Sequence, residues 1–283
     1  MGSKIPQAPI PPPLPPSIPA TFDAKITTEN TLLNQETEIT KACQASWNYI
    51  TNGKVDSFII SVYHQVKPIL QDGPKCGLVA LCMASQLLSR TLMVDTVFER
   101  AKELKFTKKG EMFSASQMRD LAEDLLCCDA VLIVDLEKER ERIFKHLLLG
   151  LPLLVPYDAD SNHEPCCKKG HTAHWAVITG FCIVINENQC ESLKPCSKDT
   201  DSSHIIHWKS NSFPFDIDEN TPIFVFARQG KSNRVQIWNF DQLCKSNKNL
   251  SEFSVKHVAS DFILPKNGIQ NELSNHAVLL NKC

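Results

Sequence analysis

Cys76 stands in a sequence context that suits nucleophilic catalysis. A thiol attacks a carbonyl only as its thiolate, and an ordinary cysteine holds little thiolate at neutral pH. The positive N-terminal end of a helix and a neighbouring imidazole both favour the thiolate. Cys76 follows the turn-forming pair Gly73-Pro74 and opens a segment with apolar residues at helical spacing. We therefore expect Cys76 at a helix N-terminus, where it can act as a nucleophile.

His174 is the matching general base. It stands where a polar loop changes into the apolar run from Trp175 to Ile185, which predicts a strand. A histidine at the start of such a strand is held on rigid backbone. His171 lies slightly earlier in the loop and is the alternative. The two predictions together give a cysteine–histidine pair.

Further groups are expected around this pair. The backbone N–H of Cys76 would point at a developing oxyanion, and Gln71 could donate a second hydrogen bond. Gly77 would leave room for the backbone of a substrate. A third side chain should hold the imidazole by its other nitrogen and come from the strand beside the histidine strand. We predict Asn239 for this role, with Asp241 as the alternative.

The elements that must position these residues form an α+β pattern, with helices first and a mainly antiparallel sheet after them. Ser114 followed by Gln117 predicts a capped helix start. Beside the helix that Cys76 opens, helices are predicted at Leu32–Ile50, Met93–Leu104, Ser114–Leu126 and Glu137–Leu149, with a short one near Asp241. Strands are predicted at Ala130–Val134, Pro152–Tyr157, His174–Ile185, Ile223–Ala227 and Val235–Phe240.

Composition divides the chain into three parts. Residues 1–20 hold eight prolines and predict an extended polyproline II tail, which is either a solvated linker or a ligand for an aromatic-lined groove. Residues 21–66 are predicted as an N-terminal helical or linker region. Residues 67–283 are predicted as the catalytic domain, with a polar insertion at about 186–220.

Charge and apolar runs exclude several classes of partner. With 30 basic and 32 acidic residues the net charge is −2, so nothing favours a nucleic acid or an anionic membrane. The longest apolar runs, Leu147–Val155 and Trp175–Ile185, are too short to span a bilayer. Met1–Lys4 lead into prolines rather than an apolar signal segment. We therefore expect a cytoplasmic protein whose twelve cysteines form few or no disulfides.

Several segments together resemble one known family. They are Gln71–Leu81, Gly110–Ser114, Pro156–Asp158, Asn162–Cys166, Lys169–Val177, Gln229–Ser232 and Trp238–Gln242. These segments look like those of the actin maturation proteases, and the resemblance runs from about Pro68 to Leu264. It departs from papain-type patterns at two places. Gln71 lies five residues before Cys76 rather than the usual six, and Asn239 stands where bacteriocin-processing relatives usually have Asp.

The resemblance implies a papain-like fold, similar to that of bacteriocin-processing peptidases. It implies an aminopeptidase that removes the acetylated N-terminal Met or Cys from new actin and exposes an acidic end. Cys76 takes the nucleophile position and His174 the general-base position, with no cofactor. The proline-rich start would bind profilin, which carries actin.

An acidic substrate would favour basic residues around the cleft. Lys75 is beside the nucleophile, and Lys168 and Lys169 precede His174 in the chain. We expect some of these lysines to steer the acidic segment, an effect that changes the association rate more than the affinity. The alternative is that they form a solvated loop face.

Two other functions are compatible with the same residues. Cys166, His171 and His174 are ligand types that zinc prefers, although their spacing fits no familiar zinc finger. The chain could also be a catalytically inactive adaptor that binds actin or profilin. The presence of both a thiol and an imidazole in catalytic contexts favours the peptidase over these two alternatives.

Overall fold

The computed structural model describes residues 38–88, 90–191, 193, 204–215, 217, 221–252 and 261–282. The proline-rich tail predicted at residues 1–20 lies outside these ranges. The first part of the helix predicted from Leu32 and much of the insertion predicted at 186–220 lie outside them as well.

One mainly antiparallel sheet contains the eight strands of the described residues. The strands are β1 (Ser57–Tyr63), β2 (Ala130–Val134), β3 (Leu153–Asp158), β4 (Ala173–Asn186), β5 (Ile205–His207), β6 (Ile223–Gln229), β7 (Gln236–Asn239) and β8 (His276–Leu280). Their order is β2-β8-β3-β4-β1-β5. In addition, β6 pairs with both β4 and β7. The pairing of β1 with β5 is parallel. β4 is the longest strand, and it pairs with β3, β1 and β6.

Helices cover both faces of this sheet. Residues 38–45 form α1. The later helices are α2 (Trp47–Thr51), α3 (Cys76–Ser85), α4 (Val94–Glu103), α5 (Ala115–Leu126), α6 (Arg140–Leu148), α7 (Glu187–Glu191), α8 (Phe240–Lys248) and α9 (Ile269–Glu272). Helices α3, α4 and α5 share one core cluster, and α6 and α8 share another. None of the helices in the described ranges is long and apolar enough to cross a bilayer.

Alternate residues of β4 belong to these two cores, as the period of a strand requires. Trp175 and Val177 pack with α3, whereas Ala176 and Ile178 pack with α6 and α8. The predicted α+β class with a mainly antiparallel sheet is confirmed. The capped start predicted for α5 is also present, since the Ser114 hydroxyl accepts the N–H of Gln117 at 3.1 Å.

The predicted order of helices before sheet is wrong at one place. β1 precedes α3 in the chain and lies inside the sheet, antiparallel to β4. The boundary predicted at residue 67 therefore separates β1 from the strands with which it pairs. The segment predicted as an insertion at 186–220 contributes α7 and β5 to the fold, and β8 at the other end of the chain was not predicted.

Gly180 allows β1 to approach β4 closely. The register of β4 against β6 shifts between Ile178 and Gly180, which marks a bulge. A Cβ added at Gly180 would overlap the carbonyl oxygen of Val62 and would lie 2.9 Å from Cα of Tyr63. Both obstacles are backbone atoms and cannot turn aside as a flexible side chain can.

Gly180→Ala is expected to lower the free energy of unfolding by about 2–3 kcal/mol, because it overpacks the backbone of the central strand. Urea denaturation at pH 7 measures this. Gly53→Ala is the matched control, since a Cβ there meets nothing within 4 Å and only the positive φ of 74° opposes it. We expect Gly53→Ala to lower the free energy of unfolding by about 1 kcal/mol. Equal losses in the two variants would contradict the close approach at Gly180.

Candidate active site

The helix that begins at Cys76 is apolar on nearly every side. Residues 77–85 are all buried, so α3 lies inside the protein and only its N-terminal end reaches the surface. Cys76 is its first residue and is partly exposed. The preceding Lys75 makes no side-chain capping bond. The first N–H groups of α3 therefore remain available to a thiolate or an oxyanion at Cys76.

Trp175 holds the start of α3 against β4. A Cβ added at Gly77 would lie 3.1 Å from the Trp175 ring and 2.8 Å from the Met118 side chain. The Trp175 indole N–H also donates to the carbonyl of Met112 at 2.8 Å. The role predicted for Gly77 is therefore wrong in detail: its missing side chain makes room for Trp175 and Met118 rather than for a substrate.

His174 precedes this tryptophan on β4 and pairs in the sheet with Tyr157 of β3. Cys76 and His174 line one cavity of about 240 Å³. The structure thus brings together the two residues that the sequence predicted as nucleophile and base. A thiol at a helix N-terminus beside an imidazole on a sheet strand is the papain-like arrangement.

The cavity that Cys76 and His174 line has a mainly apolar wall. The apolar side chains of this wall include Met112, Phe113, Phe262, Ile269 and Leu273. Glu111 also lines the cavity, and its carboxylate accepts the N–H groups of Lys108, Lys109 and Ile263. The buried Glu111 therefore ties together the segments that carry the two phenylalanines.

Burial and nearby donors act in opposite directions on the Cys76 thiol. Burial raises its pKa above the ordinary value, and this effect is the largest. The N–H groups of Trp175, Gly77 and Cys76 itself and the ammonium of Lys231 lower it. The thiol is therefore protonated in the resting site. Once it loses its proton, these N–H groups and the Lys231 ammonium stabilise the thiolate.

The imidazole of His174 is neutral in the resting site. Burial, then the charges of His163 and Lys231, lower the pKa of His174 to about 4. A neutral imidazole is the form that can take the proton of the thiol. Lys231 was not among the predicted site residues, although it lies in the Gln229–Ser232 segment. The register of Ala176 against Gln229 places that segment beside the start of β4.

Gln71 lies in the wall of the same cavity. Its backbone N–H donates to the carbonyl of Gly230 at 2.8 Å, and its side-chain amide donates to the carbonyl of Gly73 at 2.7 Å. An amide nitrogen carries two hydrogens, so one N–H of Gln71 remains for an oxyanion. The predicted role of Gln71 stays a prediction that this position allows.

Asn239 does not orient His174. It pairs with Phe224 of β6, and Phe224 pairs with Cys182, which lies eight residues beyond His174 on β4. That offset is roughly 26 Å along the strand. The Asn239 side chain instead accepts the N–H of Gln242 at 3.0 Å and caps α8.

The alternative, Asp241, fails for a similar reason. It lies in the first turn of α8, one residue beyond the strand β7 that carries Asn239. Its carboxylate accepts a hydrogen bond from the guanidinium of Arg140 at 2.9 Å. The prediction of Asp241 as the third member is therefore wrong, because the side chain forms an ion pair with α6.

Two of the three lysines predicted to steer the substrate have other partners. The ammonium of Lys75 lies 5.0 Å from the centre of the Phe98 ring. The ammonium of Lys169 forms an ion pair with Glu252 at 3.0 Å. Lys168 is exposed, and its backbone N–H donates to the buried carboxylate of Asp158. A steering role for these lysines stays a prediction.

The zinc alternative is not supported by the geometry. Within the described ranges, no three His, Cys, Asp or Glu side chains are grouped so that they could hold a metal ion. His171 instead forms a hydrogen bond with Glu252 at 2.9 Å. His174 packs against Tyr157 and His163.

The sequence of this chain is similar to those of known proteins. Residues 66–182 match the family model described as "Actin maturation protease-like, C-terminal domain". The actin maturation protease of Danio rerio is 41% identical over 224 residues, which are 76% of this chain and 72% of that protein. That of Mus musculus is 38% identical over 75% of this chain and 61% of its own length. That of Drosophila melanogaster is 33% identical over 77% and 70%.

Two solved structures are similar at a greater distance. One is a C39-like peptidase from Bacillus anthracis, with 13% identity, a TM-score of 0.37 and coverage of 78% of this chain and 98% of that one. The other is the peptidase domain of Streptococcus ComA, with 12% identity, a TM-score of 0.38 and coverage of 78% and 100%.

Asn239→Ala is expected to lower the free energy of unfolding by about 1 kcal/mol, because it removes the cap of α8. The rate at which iodoacetamide alkylates Cys76 should not change. Asn239→Asp is the matched control, since a carboxylate also caps a helix and should keep the stability of the wild type. A slower alkylation at unchanged stability would restore Asn239 to the catalytic site.

Acid should destabilise the fold through its buried neutral histidines. Burial also lowers the pKa of His146 to about 4. Between the ordinary pKa of about 6.5 and about 4 the unfolded chain binds more protons than the folded one, so stability is lost as the pH falls. We expect His174 to account for about 1–2 kcal/mol of the loss between pH 7 and pH 5.

Urea denaturation of the wild type and of His174→Gln at both pH values measures this contribution. The variant should lose less stability than the wild type by that amount, while His146 still titrates. Equal losses in the two proteins would show that His174 is not held neutral by burial.

Proposed function

The chain belongs to the actin maturation protease family, and we propose that it is a cysteine aminopeptidase that removes the acetylated N-terminal Met or Cys from immature actin. One observation carries this proposal: Cys76 begins a buried helix and lines the same cavity as His174. The activity, the substrate and the roles of the residues below are parts of the proposal.

The proposed reaction has two steps. His174 takes the proton of Cys76, and the thiolate attacks the carbonyl of the first residue of the substrate. The oxyanion is held by the N–H of Cys76 and by the free N–H of Gln71. His174 then gives its proton to the departing amine of the shortened chain. In the second step, water activated by His174 releases the acetylated amino acid.

The cavity beside Cys76 suits an acetylated apolar residue. Its wall of Met112, Phe113, Phe262, Ile269 and Leu273 would bury the side chain of Met, which favours binding. Burying an unpaired ammonium there would be costly, but acetylation removes the charge of the terminal amine. A cavity of about 240 Å³ also has room for only a short segment before the scissile bond. These features support removal of one blocked residue.

The partners and the cellular location follow from the same proposal. Actin is the substrate, and the proline-rich segment 1–20 recruits profilin. Residues 1–20 lie outside the described part of the chain, so this recruitment is supported by the proline-rich composition and by the family resemblance. The protein would act in the cytoplasm, where its substrate is made.

The test uses acetylated peptides that begin with Met or Cys and continue with the actin N-terminal sequence, alone and as profilin-bound actin. We expect the wild type to release one acetylated residue, seen by mass spectrometry. Cys76→Ala should lose the activity by at least about 1,000-fold, because it lacks the nucleophile.

Cys167→Ala is the matched control, since it removes an exposed thiol from the loop before His174 and should keep full activity. Cleavage by Cys76→Ala at the wild-type rate would remove Cys76 from the mechanism. Binding of actin without cleavage by the wild type would favour an inactive adaptor.

A further inference from the structure

The imidazole of His174 has no orienting partner at either of the two positions that the sequence predicted. Its Nδ1 is buried and has no hydrogen-bond partner among the described residues. Asn239 and Asp241, the two predicted candidates, are engaged with Gln242 and Arg140. When His174 takes a proton it carries two N–H groups, and one of them then needs an acceptor other than the reacting atoms.

His163 is a second histidine beside His174. The two rings meet edge to face, with centroids 5.2 Å apart and an interplanar angle of 79°. The Nδ1 of His163 is also buried and also has no partner among the described residues. Two buried imidazole nitrogens without partners thus lie in adjoining rings, an arrangement that protein interiors usually avoid.

The loop that carries His163 holds it in an uncommon backbone conformation. The φ of His163 is +63°, in the left-handed region that few non-glycine residues occupy. The Asp160 carboxylate fixes the loop by accepting the N–H groups of Asn162 at 2.8 Å and Glu164 at 2.9 Å. An isolated antiparallel β-bridge between Ala159 and Pro165 closes the loop. Backbone strain of this kind persists where the surrounding structure imposes it, often at functional sites.

Tyr157 connects the two histidines. Its hydroxyl donates to the carbonyl of His163 at 2.9 Å, and in the sheet it pairs with His174. Tyr157 therefore holds the backbone at His163 and lies beside the ring of His174, with the two ring centroids 6.3 Å apart. Because the bond goes to the backbone of His163, it survives any change of the His163 side chain.

We propose that His163 is the positioning residue of this site, which accepts the second N–H of His174 once His174 has taken the proton of Cys76. The inference rests on the proposed function, since it presupposes the Cys76–His174 pair.

The other groups that face His174 cannot take this role. Lys231, from the segment after β6, is a cation and offers no lone pair, and the Tyr157 hydroxyl is engaged with His163. Cys76, on α3, is the partner in the reaction itself. Among these groups, the ring nitrogen of His163 is the acceptor that remains.

Two variants separate the acceptor from the fold. His163→Gly removes the ring, and His163→Asn keeps a side-chain acceptor. Glycine and asparagine both tolerate a left-handed backbone, so neither adds strain. We expect kcat of His163→Gly to fall about 100-fold with KM nearly unchanged, because the loss concerns the protonated base. His163→Asn should recover most of that loss. His204→Asn is the control, since His204 stacks on Phe58 at the other end of the sheet.

The pH dependence provides a readout that a purely structural role would not move. Both variants remove the charge of His163, which lowers the pKa of His174, but only His163→Asn keeps an acceptor for the N–H of His174. The pKa of His174 should therefore be lower in His163→Gly than in His163→Asn. The acid limb of kcat/KM, and of the rate at which iodoacetamide alkylates Cys76, should accordingly lie at lower pH in His163→Gly than in His163→Asn. It should stay in place in His204→Asn.

Wild-type kcat in His163→Gly, or acid limbs that coincide in His163→Gly and His163→Asn, would overturn the inference. If His163→Gly does not fold, His163→Ala takes its place in both comparisons. Alkylation needs no peptide, so it tests His163 even if the wild type cleaves no actin peptide, a result that would count against the proposed function alone.

Discussion

The burial of α3 is the constraint on which the rest of the structure depends. A helix that is apolar on every side must be covered on every side, and β4 with its neighbouring strands provides one of those covers. Gly77 lets the helix approach the Trp175 ring closely. Because His174 precedes Trp175 in the chain, the contact that buries the helix also fixes the imidazole relative to Cys76. Stability and catalytic geometry therefore share one packing contact.

The same burial sets the protonation of the site. It raises the pKa of the Cys76 thiol and lowers the pKa of His174 to about 4, so the resting pair is neutral. A pair of Cys76 thiolate and His174 imidazolium is favoured only when groups at the site replace the hydrogen bonds that water would make. The N–H groups of Trp175, Gly77 and Cys76 serve the thiolate, and the proposed role of His163 would serve the imidazolium. Exclusion of water thus strengthens each of these few contacts.

The sequence predicted what depends on local patterns. A turn before an apolar helix located Cys76, and a loop before an apolar strand located His174. It failed where the answer depends on which strands pair. Asn239 lies on β7, which pairs with β6. The register of β6 against β4 places Asn239 far from His174. His163 could not be found from spacing, because a left-handed loop residue and a ring contact leave no periodic signal. The segment that contains His163, Asn162–Cys166, entered the sequence analysis through its resemblance to the actin maturation proteases.

The pairing of β1 with β4 has a consequence for how the chain reaches its native state. Tyr63 pairs with Gly180, and Ala130 pairs with Leu280, so both partners are far apart in sequence. During synthesis α3 emerges long before the strand that covers it, and its apolar surface has no native partner in that interval. Folding of such non-local pairings is slow, and the exposed surface favours aggregation. A nascent chain of this protein should therefore depend on chaperones until β4 has been made.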